Sequence, residues 1–106
     1  MKILKAGWDE ANGTSYSGYF IRASKRQLTE ALGIEPERLD EKVDFFWVLR
    51  LENGTVFTIY AWTNGRRLGD GEEYDYHIGS KGHELSEDVI NALKEIGLTV
   101  KNIFKL

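Results

Sequence analysis

The residues best suited to chemistry are few: His77 and His83, the Arg66-Arg67 pair, Lys81, and the aromatics Trp8, Tyr60 and Trp62. Guanidinium groups bind phosphate in a bidentate way, and backbone N–H groups of a glycine-bearing loop can cradle the same oxygens. Arg66 and Arg67 lie in such a loop, residues 64–73 (NGRRLGDGEE), directly after an aromatic run. Aromatic faces beside them would stack on a base or another ring. The candidate ligand-binding set is therefore Trp8, Tyr60, Trp62, Arg66, Arg67, His77 and Lys81. In that set the rings stack, the cations neutralise phosphate, and His77 makes one orienting hydrogen bond. The plain alternative is an exposed hairpin loop carrying two solubilising arginines. Asn64-Gly-Arg-Arg has neither Walker spacing nor a dinucleotide fingerprint.

Catalytic patterns are weaker. His77-Ile-Gly-Ser80 and His83-Glu-Leu-Ser86 echo the His-x-Ser/Thr pairs of two-histidine phosphoesterases, but the spacing in each is one residue too long. His77, His83 and Glu84 lack the spacing of zinc ligands on one helix. A general-acid pair needs two carboxylates converging in a cleft. The acids here cluster at 35–44, 70–75 and 84–88, in polar, turn-rich stretches that read as solvated surface. Asp44 is the exception, because it precedes a buried aromatic run. No catalytic residue, metal ligand or cofactor is assigned from the sequence.

The elements that must position these residues are clearer. Residues 43–63 (VDFFWVLRLENGTVFTIYAWT) hold two apolar runs around Asn53-Gly54, the strongest short signal for a two-residue hairpin. That turn makes Glu52 face Thr55. It then places Phe45, Trp47, Leu49 and Leu51 opposite Trp62, Tyr60, Thr58 and Val56, and Phe46, Val48 and Arg50 opposite Ala61, Ile59 and Phe57. Both faces are largely apolar, so both are expected to be covered. The compact Val48/Ile59/Phe57 face suits a helix. The aromatic face, Phe45, Trp47, Tyr60 and Trp62, is expected to meet a second subunit, a ligand or the long loops.

Ser24 and Gln27 form a capping box before Leu28, Ala31 and Leu32, and Gly33 and Pro36 end that helix. Ser86 caps a second, with Val89, Ile90, Leu93 and Ile96 on its buried stripe. Residues 2–6, 16–23, 74–78 and 99–106 read as strands, and 35–42 as a charged connection. The prediction is one α+β domain over 1–106. Its antiparallel or mixed sheet is built on a central hairpin (43–52/55–63), with two helices (about 25–32 and 87–96) mainly on one face.

The net charge of −3 and pI near 5.4 argue against general nucleic-acid binding, which needs a basic surface. The absence of cysteine removes disulfides and thiolate metal sites. No apolar run approaches the ~18 residues of a membrane span, and no leader opens the chain. A cytoplasmic protein is the expectation.

Some of these stretches also carry a resemblance. Gly18-x-Phe-Ile-x-Ala-Ser24, Lys42-Val-Asp-x-x-Trp-x-Leu49, Asn53-Gly-Thr-Val-x-Thr-Ile-Tyr-x-Trp62 and His77-Ile-Gly79 resemble small bacteriophage-encoded proteins of mostly unassigned function. The pattern departs at Thr63-Asn64, where an acidic or lysine-bearing turn is usual. Proteins of this type include anti-defence sponges, such as the Lockin and Sequestin classes, which oligomerise and trap nucleotide immune signals. The resemblance implies a homo-oligomeric protein in the host cytoplasm that sequesters a cyclic ADP-ribose type signal without cleaving it. A protein-interaction module against a host defence protein and a phosphodiesterase acting through His77 are the alternatives.

Overall fold

The computed structural model describes residues 1–38, 42–82 and 84–105. Its strands are β1 (Ile3–Lys5), β2 (Ser15–Ser24), β3 (Glu37–Arg38), β4 (Val43–Leu51), β5 (Val56–Trp62), β6 (Glu73–Ser80) and β7 (Val100–Asn102). Helix α1 (Lys25–Leu32) follows β2, and α2 (Glu87–Glu95) follows β6. All strand pairs among the described residues are antiparallel, in the order β1-β4-β5-β6-β2-β7, with β3 sharing the β4 edge with β1. The fold is α+β. The capping box of α1 forms as its sequence predicts: Gln27 N–H donates to Ser24 Oγ at 3.1 Å, and Ser24 N–H to Gln27 Oε1 at 2.9 Å. The charged connection holds the short strand β3, and its residues 39–41 lie outside the described set.

The hairpin forms, but its register differs by one residue from the two-residue reading. Gly54 N–H donates to Leu51 O and Leu51 N–H to Thr55 O, both at 2.9 Å, closing a three-residue loop, Glu52-Asn53-Gly54. Gly54 has φ 93° and Asn53 does not have positive φ. A two-residue type I′ turn would need positive φ at both. The observed turn is a type I turn followed by a left-handed glycine, and the side chain of Asn53 stabilises it by accepting from Thr55 N–H at 3.0 Å. Partners become Trp47↔Ile59, Leu49↔Phe57 and Phe46↔Tyr60.

That slip redistributes the aromatics. Trp47, Leu49 and Leu51 share the helix face with Phe57, Ile59 and Ala61, in one core with Ile21, Tyr76 and Ile78 under Leu28, Val89 and Leu93. Phe46, Val48 and Arg50 share the other face with Tyr60 and Thr58. Trp47 is thus sealed in the core, and its indole N–H donates to Ile34 O at 2.8 Å. The expected grouping of Trp47 with Tyr60 and Trp62 does not exist.

An extra residue in β4 between Val43 and Phe46 buries Asp44 and Phe45 side by side. The Asp44 carboxylate accepts from Leu68 N–H at 2.6 Å and lies 2.9 Å from Arg38 Nε, while Arg38 Nη2 donates to Leu68 O at 2.6 Å. This three-way clasp fixes the loop between β5 and β6. Removing a buried carboxylate strands both partners, at a cost of about 2–4 kcal/mol. Asp44→Ala should lose that much in urea unfolding. Asp44→Asn, which can still accept from Leu68 N–H, should lose less.

Candidate functional site

The sheet order sets the site. β1 and β2 are consecutive in the chain but four strands apart in the sheet. At about 4.8 Å per strand, the connection must travel about 19 Å across the sheet. Residues 6–14 make that crossing on the face opposite the helices. There they form a short 3-10 turn, Trp8–Ala11, whose Trp8 ring stacks on Phe46 at 5.3 Å and 15°. Glu10 meets Arg50 at 3.3 Å. The aromatic face is therefore partly covered by one of the long loops.

Beyond the crossing the rings continue. Phe46 meets Tyr60 at 6.1 Å, Tyr60 meets His77 edge-on at 5.4 Å, and His77 stacks on Tyr16 at 3.9 Å and 11°. Phe20 lies directly opposite His77 in the β2–β6 register. Gly79, beside this path, makes room for Thr58: a Cβ there would collide with Thr58 Oγ1, whereas the Tyr60 ring, 3.5 Å away, would be in ordinary contact. The path Trp8–Phe46–Tyr60–His77–Tyr16 spans β4, β5, β6 and β2. Trp62 extends the same face by strand alternation, and Trp8 and Trp62 are 52% and 48% exposed.

Of the seven predicted site residues, Trp8, Tyr60 and His77 are joined by this path, and Trp62 shares its face. The others lie elsewhere. Arg66 pairs with Glu72 at 2.7 Å and lies over the Tyr74 ring. Tyr74 alternates with the buried Tyr76 and Ile78, which puts that guanidinium on the helix side of the sheet. Arg67 sits 4.0 Å from Asp44 in the clasp. Lys81 follows Ser80, the partner of Phe57, at the Asn53-Gly54 end of the sheet. His83 lies outside the described residues.

The sequence reading missed Tyr16, Phe20 and Phe46, and the two guanidiniums that share their face. These are Arg50, paired with Glu10, and Arg22, 3.3 Å from Asp75 and 3.9 Å from Glu73. A three-residue reading of the turn would have found Phe46. Nothing local marks β2 as the neighbour of β6, which is what brings Tyr16 to His77.

Burial raises the phenol pKa of Tyr60 and of Tyr16, so both are neutral donors or acceptors. No group of three or more His, Asp or Glu among the described residues could hold a metal ion. No described helix is long and apolar enough to cross a membrane. No family model, no curated protein and no solved structure matches the chain.

Burial pushes His77 below its ordinary value of 6.5, against the opposing pull of Asp75. The unfolded chain therefore binds this proton more readily than the folded one. Stability is complete above pH 6.5 and falls as the pH drops through and below it. His77→Gln removes this contribution. Its loss of melting temperature between pH 7.5 and 5.5 should be smaller than that of the wild type, and an equal loss would contradict the assignment.

Proposed function

We propose that the chain is a non-catalytic binding protein whose aromatic face takes the planar ring of a nucleotide-derived molecule. The single observation that carries this reading is the five-ring path on the helix-free face, exposed at Trp8 and flanked by Trp62. Base–aromatic stacking is worth about 1–3 kcal/mol per base and tolerates different bases. The resemblance to phage anti-defence sponges gives this chemistry a setting: sequestration of a cyclic ADP-ribose type signal by a homo-oligomer in the host cytoplasm.

The phosphate partner in this proposal is Arg50, in place of Arg66 and Arg67; Arg22 shares the face but sits opposite Asp75, at the other end of the sheet from the Arg50–Val56 row. Both are more than 40% exposed along the side chain, Arg22 beside the exposed Asp75 and Arg50 beside the half-buried Glu10. Exposed pairs contribute about 0–1 kcal/mol, so a bidentate phosphate can displace them.

A second reading, a docking module for a host protein, is favoured by the exposure of two tryptophans on one face, since exposed aromatics mark interaction surfaces.

Heat-denaturing the purified protein and analysing the supernatant by mass spectrometry separates the two. Intact released nucleotide supports the binding protein; a co-purifying protein without a small molecule supports the docking module. Calorimetry with cyclic ADP-ribose isomers and cyclic dinucleotides should show binding, weakened at least ten-fold by Tyr60→Ala. No heat with any of them overturns the first reading.

A further inference from the structure

The β4 edge is shared by two short strands that do not meet. β1 pairs with Leu49, Arg50 and Leu51, whereas β3 pairs with Phe45 and Phe46. The interval at Trp47 and Val48 opens into a cleft of about 230 Å³ lined by Gly7, Trp8, Ile34, Glu37, Phe46 and Val48, among others. It adjoins the aromatic face, because Trp8 and Phe46 belong to both. Its floor is rigid: Trp47 is locked to Ile34 O, and Ala6 N–H is tied to Val48 O at 2.9 Å.

We infer that this cleft is the seat of the planar ring, and that it selects a ring bearing an amino group. The inference rests on the binding function proposed above and names the part of the ligand that enters. Glu37 is the partner of Phe46 across β3–β4, so its side chain projects on the face where Trp8 stacks. It forms no ion pair among the described residues. The other carboxylate at the cleft, Glu35, is engaged by Lys25 at 3.3 Å. A carboxylate accepts and cannot donate. A ring stacked on Trp8 therefore meets the exposed Glu37 carboxylate, an acceptor, at its edge and gains from an exocyclic N–H. A carbonyl oxygen at the same place would set lone pair against lone pair.

The same charge fixes the direction of entry. Two carboxylates border the cleft against the single ammonium of Lys5. A phosphate entering first is repelled, so the base goes in and the phosphate stays outside, toward Arg50.

AMP and IMP test this cleanly, because they share ribose and phosphate and differ only in the 6-amino or 6-oxo group. Titration followed by tryptophan fluorescence should give AMP at least ten-fold tighter than IMP. Glu37→Gln, whose amide can donate to the oxo group, should reduce that ratio toward one while thermal unfolding stays unchanged. Trp8→Ala should weaken both nucleotides. Equal binding of AMP and IMP by the wild type, an unchanged ratio in Glu37→Gln, or no AMP binding overturns the cleft assignment. If those results come with binding of a cyclic nucleotide that Tyr60→Ala weakens, the function stands and only the cleft falls. If no nucleotide of either panel binds, both fall.

Discussion

A single left-handed residue decides what each face of this protein is made of. With Gly54 at φ 93° the turn holds three residues, and the whole of β5 is displaced by one position against β4 relative to a two-residue turn. Side chains alternate with a period of two, so one step of register exchanges the faces of an entire strand relative to its partner. The step places Ile59 and Phe57 beside Trp47 and Leu49 in the core, where all four are at most 2% exposed. It also places Tyr60 beside Phe46 on the far side, where a half-exposed ring path can form. The other register would pair Trp47 with Tyr60, forcing a phenol hydroxyl into the apolar layer beneath the helices. Desolvating an unpaired hydroxyl costs on the order of 1–3 kcal/mol, which the observed register avoids for Tyr60.

Topology supplies the second constraint. Because β1 and β2 are separated by three intervening strands, residues 6–14 have to lie on the sheet. Both helices already occupy one side, so the crossing takes the other. It covers that side only in part, since nine residues make one strap and not a layer. An apolar sheet face normally calls for a full covering layer. Here the strap, anchored by Trp8 on Phe46 and Glu10 on Arg50, leaves Tyr60, His77 and Tyr16 to shield one another by ring contact.

Much of the fold was legible in the sequence because the signals were local. The Ser24/Gln27 box and Gly33 gave α1 its observed bounds, since capping depends on residues within one turn. The alternation of Tyr74, Tyr76 and Ile78 gave the inward face of β6 for the same reason. The hairpin was found but mis-registered, because Asn-Gly suits two turn types and its local chemistry alone does not choose between them. The site was legible only as residue types. Tyr60, His77 and Trp8 were singled out as aromatic or titratable, yet what joins them is the pairing of β2 with β6 and the strap from β1, both long-range. Arg66 and Arg67 were drawn from proximity in sequence to Trp62. The buried Asp44–Leu68 clasp turns their loop away, and an acid preceding an aromatic run does not announce that it will hold a backbone N–H 24 residues on.

The electrostatics of the aromatic face bear on what it can hold. Arg22 and Arg50 are each neutralised by carboxylates at 3.3 Å, so the face carries alternating charge and not a basic field. A polyanion drawn by long-range attraction would find little to steer it. A small ligand is a different case. It gains from stacking first and from exchange of one weak surface ion pair for a charge-assisted contact second, each worth on the order of 1 kcal/mol or more. Affinity built in this way depends on several modest contacts acting together on a pre-formed surface. The paired strands beneath Tyr60 and His77, and the edge-on contact of the two rings, provide that surface.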